Sequence, residues 1–181
     1  MCNQKQAYQK LEKSIIDFIA EGQAKLGYSK EAIQLYYPLA SLNHFFNSNV
    51  TEDSMEQQLA GFSDFAVERL GGVRFSYAGE RFCFYLAPEA AAYVHETMGE
   101  NGFIFELVKL LQEKNTTLSN VIAFFKKWDQ NCVVKEVDTD EFDILITFVD
   151  REDPYCYCFK DEGFHVIYHR YLPEDYADFG F

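Results

Sequence analysis

The sequence has no apolar run near the ~20 residues that a membrane span requires. Its opening stretch, MCNQKQAYQKLEK, is polar and so does not read as a secretory leader. Neither a Gly-X-Ser-X-Gly nucleophile elbow nor a glycine-rich phosphate fingerprint is present; Gly71-Gly72 and the Gly99–Gly102 stretch fit neither pattern. Basic residues are also scarce. Sixteen Lys and Arg stand against 29 Asp and Glu, a formal net charge of −13. A chain this acidic repels nucleic acid and anionic lipid, because both are held by Lys and Arg neutralising phosphates. The expectation is therefore a protein with no nucleic-acid or membrane partner.

What the chain does have is aromatic bulk. It is 48% apolar and 17% aromatic, with 18 Phe and 12 Tyr over 181 residues. That composition excludes disorder and supplies a proper core for a single domain over 1–181. The charge is unevenly spread: residues 129–181 hold 14 acidic and 4 basic side chains, a net of −10, whereas residues 1–128 hold 15 and 12, a net of −3. An acidic C-terminal third attracts a basic partner, and it also keeps an aromatic-rich surface soluble. Five cysteines, at positions 2, 83, 132, 156 and 158, are an odd number and point to reduced thiols in the cytoplasm.

The spacing of Tyr8, Leu11, Ile15, Phe18, Ile19, Gly22 and Leu26 predicts a first helix ending near Gly27. Ser29 reads as the cap of a short helix that Pro38 closes, and Pro38 opens another with Leu39, Leu42, Phe45 and Phe46 inward. Asn47-Ser48-Asn49 breaks that helix. A third helix follows Thr51, with Met55, Leu59, Phe62, Ala66 and Leu70 as one stripe as far as Gly71-Gly72. Residues 73–86 alternate at period two around Ala78-Gly79 and read as a hairpin. In it Phe75 faces Phe82, while Arg74, Arg81 and Cys83 share the opposite side. Three helices follow: PEAAAYVHETM, closed by Gly99, then 102–114, then Leu118–Trp128 capped by Thr117. From Cys132 onward the pattern becomes strands at 132–137, 142–149, 155–160 and 164–170, an antiparallel meander. The tail LPEDYADFGF reads as a short turn or helix offering Tyr176, Phe179 and Phe181. The fold class is α+β, with mostly N-terminal helices packed on an antiparallel sheet built from the mid-chain hairpin and the C-terminal meander.

Chemistry concentrates at Cys156-X-Cys158 and His165-X3-His169, since thiolates and imidazoles are what zinc takes. A two-residue Asp161-Glu162 loop sets Cys158 opposite His165 and gathers Cys156, Cys158 and His165 as metal candidates. Gly163 in a left-handed position instead gives a three-residue loop, with Lys160 opposite Phe164 and Phe159 opposite His165. That second register is preferred here. It sends the thiols and the imidazoles to opposite faces, leaving no metal site and implying no cofactor. It also lines up Tyr155, Tyr157, Phe159, His165 and His169 on one amphipathic face, suited to a protein contact, to a small-ligand cleft or to the packing of a helix. Asp138 to Asp143 lacks the turn glycine and the bidentate glutamate of a calcium loop and reads as an acidic turn, as does Asp150–Pro154. Cys83 and His95 lie on different elements without a third orienting group, and His44 reads as a packed or capping residue.

The strings Leu35-Tyr-Tyr-Pro-Leu-Ala-Ser-Leu-Asn43, Tyr155-Cys-Tyr-Cys-Phe159 and Tyr168-His-Arg-Tyr171 resemble an uncharacterised family of short proteins from gut Firmicutes, known only as a domain of unknown function. The resemblance spans nearly the whole chain and implies a single cytosolic domain, with no site residues to carry over. The reading that results is a non-catalytic interaction module for a basic protein, immunity- or antitoxin-like in profile. The alternative is an enzyme or small-ligand protein with a pocket near the His165/His169 hairpin.

Overall fold

The apolar spacing of the first 26 residues produces one long helix, α1 (Cys2–Leu26). Tyr8, Leu11, Ile15 and Ile19 are buried along it, as their spacing predicts; Phe18 is 37% exposed and Leu26, at the C-terminal end, 90%. This comes from a computed structural model of the chain, which describes residues 2–98, 102–137 and 139–173. The expected tail element with Tyr176, Phe179 and Phe181, the closing Gly99, and Asp138 all lie outside the described residues. Two compact units are found, residues 1–104 and 105–181.

In the first unit α1 is followed by β1 (Ile33–Pro38), α2 (Leu39–Phe46), α3 (Glu52–Leu59), α4 (Phe62–Leu70), β2 (Val73–Ala78), β3 (Arg81–Leu86) and α5 (Pro88–Met98). The stretch expected as a helix after Ser29 is a strand instead. Its residues 33–38 pair antiparallel with 86–81 of β3, giving the sheet order β1-β3-β2. An isolated helix of that length is marginal in water, whereas Ile33, Leu35 and Tyr37 suit a half-buried strand. Pro38 is tolerated because β1 is an edge. The single helix expected after Thr51 is two. The break falls at Ala60-Gly61, where a Cβ on Gly61 would meet the Tyr8 hydroxyl at 3.1 Å. That hydroxyl donates to the Gln58 carbonyl at 2.7 Å, so the aromatic ring of α1 occupies the corner. All five predicted stripe residues, Met55 to Leu70, are nevertheless buried.

The 73–86 hairpin forms, with its turn displaced by one position. Gly79-Glu80 is the loop and Gly79 has φ +56°, so Phe75 faces Phe84 and Val73 faces Leu86. The pairing has moved by two residues, which keeps every side chain on its expected face. The inner face packs aromatics edge to face: Tyr37 and Phe62 meet Phe84 at centroid separations of 5.5 and 6.2 Å. Ser14 and Tyr37 hydroxyls share a 2.9 Å hydrogen bond within this core.

The second unit begins within the first turn of α6 (Phe103–Gln112) and continues with α7 (Leu118–Trp128) and a four-stranded antiparallel meander, β4 (Val133–Glu136), β5 (Ile144–Thr147), β6 (Cys156–Asp161) and β7 (Val166–Tyr171). Thr117 caps α7 as expected, in a reciprocal box with Asn120. Phe125 of α7 lands on one face of the sheet, against Phe148, Tyr157 and Phe159 at 5.2, 5.1 and 5.7 Å. β5, read as apolar on both sides, is central and buried throughout most of its length. The chain is α+β, and among the described residues its strands form two sheets. Among the described residues no helix is long and apolar enough to cross a membrane.

Candidate functional site

The β6–β7 pairing decides what the C-terminal candidates can do. Cys158 faces His169, Phe159 faces Tyr168 and Asp161 faces Val166. Lys160 thus faces Ile167 rather than Phe164, a slip of three residues from the expected register. An odd slip exchanges faces. Cys156, Cys158 and His169 therefore share one side of the sheet, and the expected back-to-back arrangement of thiols and imidazoles is not found. Gly163 does adopt the left-handed conformation, φ +84°, but within a longer link, Glu162–His165, in which the Glu162 amide donates to the His165 carbonyl at 3.0 Å.

The expected amphipathic face is divided accordingly. Tyr155, Tyr157 and Phe159 are buried. Tyr157 and Phe159 lie beneath Phe125, and the guanidinium of Arg170 sits 4.2 Å above the Tyr155 ring. The Tyr157 hydroxyl donates to Asp153 at 2.9 Å, and burial holds its pKa well above the ordinary tyrosine value. His169 is exposed on the other face, its ring against Phe142 at 5.7 Å and stacked on Tyr171 at 6.0 Å. His165 is exposed in the link and touches Phe164, centroids 4.4 Å apart. Cys156 and Cys158 are buried with Phe142 and Leu145, and burial pushes the Cys158 thiol up to about 12. Among the described residues no three His, Cys, Asp or Glu side chains come together in a way that could hold a metal ion.

The acidic turns also sort into two kinds. Some aspartates serve their own backbone. Asp129 accepts from the amides of Val149, Asp150 and Asn131 at 2.9, 3.1 and 2.8 Å, bonds that hold its carboxyl below the usual range. Asp143 accepts from the Asp161 amide at 2.7 Å and from Lys160 at 3.3 Å, and is lowered for the same reason. Asp153 accepts from the Tyr155 amide at 3.0 Å, and Asp161 from the Gly163 amide at 2.8 Å. The Asp143–Asp161 bond ties the β4–β5 turn to the β6–β7 link, so both sit at one end of the sheet. That end carries a second set: Glu136, Asp140, Glu141 and Glu162, all exposed. Amid them Phe164 stands 75% exposed at the tip. Phe164 was not singled out from the sequence, although Gly163-Phe164 inside an acidic loop was the available signal.

In the first unit, a cleft of about 410 Å³ is lined by Tyr36, Pro38, Ala78, Glu80 and Arg81. Cys83 lies on the same open sheet face, paired opposite Tyr36, and the neighbouring thiol holds the Tyr36 hydroxyl above its usual pKa. His95 stacks flat on Tyr28 at 4.1 Å, and His44 is exposed on α2, its carbonyl accepting from the amide of Asn47.

Compared with known proteins, residues 8–180 match the model of a family described as "Domain of unknown function, E. rectale Gene description (DUF3877)". No curated protein and no solved structure matches the chain.

Proposed function

The chain belongs to this family of unknown function, and from that premise we propose that it is a non-catalytic interaction module whose acidic end docks a basic protein. One observation carries the reading: Phe164, 75% exposed, projects from an end of the sheet whose exposed carboxylates outnumber its bases. Three of the four bases after residue 128 are already engaged. Lys160 bonds Asp143, Arg151 lies over the rings of Trp128 and Phe148, and Arg170 lies over Tyr155. The acidic field is left largely uncompensated, which speeds encounter with a cation-rich surface. An exposed aromatic ringed by charge has the form of an interface anchor with a polar rim.

The test is salt-stepped co-purification of the tagged protein from its own host, wild type beside Phe164→Ser. A stoichiometric basic partner is expected, retained at low salt and released as ionic strength passes about 0.15–0.5 M, where the Debye length falls below roughly 8 Å. Phe164→Ser should weaken retention about tenfold if the ring is an anchor. Recovery of no stoichiometric partner at any salt, or a partner indifferent to both salt and the substitution, contradicts the proposal.

A further inference from the structure

The open face of the first sheet has a chemistry opposite to that of the acidic end. Pairing sets its outward side chains in three rows across β1, β3 and β2: Gln34, Tyr85 and Arg74; Tyr36, Cys83 and Ser76; Pro38, Arg81 and Ala78. None of the nine is a carboxylate, in a chain with 29 of them; Glu80, in the adjoining loop, lines the cleft beside Arg81 without pairing with it. Tyr36 and Tyr85 are 51% and 38% exposed, while Cys83 forms a buried floor between them. Arg81 lies 4.3 Å above the Tyr36 ring. Elsewhere in this unit Arg69 is paired with Glu12; among the described residues neither Arg74 nor Arg81 meets a carboxylate.

We propose that this face is a docking surface for an extended acidic segment of a partner protein, carrying carboxylates at positions i and i+4 and an apolar residue at i+2. Arg81 faces Ala78, four positions along β2 from Arg74, so the two guanidiniums originate roughly 13 Å apart along the strands at ~3.3 Å per residue. An extended chain repeats its side chains on one face every second residue, so i and i+4 span the same distance and i+2 falls over the Tyr36–Cys83–Ser76 row. A guanidinium fork matches a carboxylate bidentately, and the stack on Tyr36 holds the Arg81 fork in place before the segment arrives. Tyr rings supply contact area at low entropic cost. A nucleic acid is disfavoured, since a net charge of −13 opposes a continuous row of phosphates far more than two carboxylates. The surface goes beyond the acidic end and shares no residue with it.

The test is fluorescence anisotropy on the whole chain with labelled acetyl-Glu-Ser-Leu-Ser-Glu-amide at low ionic strength. Its controls are Glu-Glu-Ser-Leu-Ser, in which the acids are adjacent, Gln-Ser-Leu-Ser-Gln, and a single-stranded oligonucleotide. Saturable binding of the first peptide is expected, weakened at least about fivefold by Arg74→Gln and by Arg81→Gln, as for loss of one charge-assisted pair. Both arginines are exposed, and an unchanged unfolding midpoint confirms that each variant is folded. The proposal is overturned by no binding up to about 5 mM peptide, by equal binding of the adjacent-acid peptide, by indifference to both substitutions, or by tighter binding of the oligonucleotide.

Discussion

The two sheets solve the same packing problem differently. The first buries one face under helices and leaves the other to water, so its strands alternate between Phe82, Phe84 and Leu86 on one side and Arg81 and Tyr85 on the other. The second is apolar on both sides: Ile144, Ile146, Tyr157 and Phe159 face α7, while Leu145, Cys156 and Cys158 are buried with Phe142 on the reverse. The difference teaches where binding chemistry is available. A one-sided sheet can carry a ligand face on its strands. A sheet apolar on both sides has little to spare on its central strands β5 and β6, and its accessible groups fall on the outer strands, where Ile167 and His169 are exposed, and in the turns with Phe164 and the exposed carboxylates.

If that contrast is right, truncation should be costly on both faces of the second sheet and on only one of the first. Phe125→Ala, which empties the space among Phe148, Tyr157 and Phe159, should cost about 3–5 kcal/mol in denaturant unfolding, and Leu145→Ala on the reverse face about 2–4 kcal/mol. A cost below about 1 kcal/mol for Leu145→Ala would show the reverse face to be a surface after all.

A slower thiol sharpens the same point. With its pKa pushed up to about 12 by burial, the Cys158 thiol should alkylate at pH 8 at least about a hundredfold slower in the folded than in the unfolded chain, since only thiolate reacts. Peptide mapping reads this directly, and ready labelling of the folded protein would contradict it.

The turn aspartates give a smaller, pH-dependent effect. Asp129 is held below its unfolded pKa by three backbone amides. Its contribution is therefore fully present above the ordinary carboxylate range and is lost as pH falls through the folded-state value. Asp129→Asn should lower the urea midpoint at neutral pH, with the gap to wild type closing below about pH 4. A gap independent of pH would mean that shape, not charge, carries the bonds. The smallest effect belongs to the open face: Tyr85→Ser should change stability by no more than about 0.5 kcal/mol.

The same contrast explains what was legible in the sequence. In the 73–86 hairpin polar and apolar residues alternate, so the pattern defines faces even though the turn sits one position later, and the two-residue slip moved nothing across the sheet. Arg74, Arg81 and Cys83 were thus placed together from sequence alone. In 155–170 both parities are apolar or aromatic, nothing in the pattern distinguishes one register from the next, and the three-residue slip carried His169 to the side of Cys158. Helices with caps and a single stripe, such as Leu118–Trp128, were readable because their signals are local. β1 was not, because what makes it a strand is β3, some fifty residues further on. The acidic turns Asp138–Asp143 and Asp150–Pro154 read as merely solvated, yet Asp143 is bonded to the amide of Asp161, eighteen residues on, a partner that depends on where the chain returns.

Backbone amide chemical shifts during titration of the whole chain with a Lys/Arg-rich peptide test the acidic docking end most directly. The largest perturbations are expected at 139–142 and 161–165, saturating together, fading as salt rises, and much reduced in Phe164→Ser. Perturbations spread evenly over the surface, or centred on the Arg74/Arg81 face, would contradict the account.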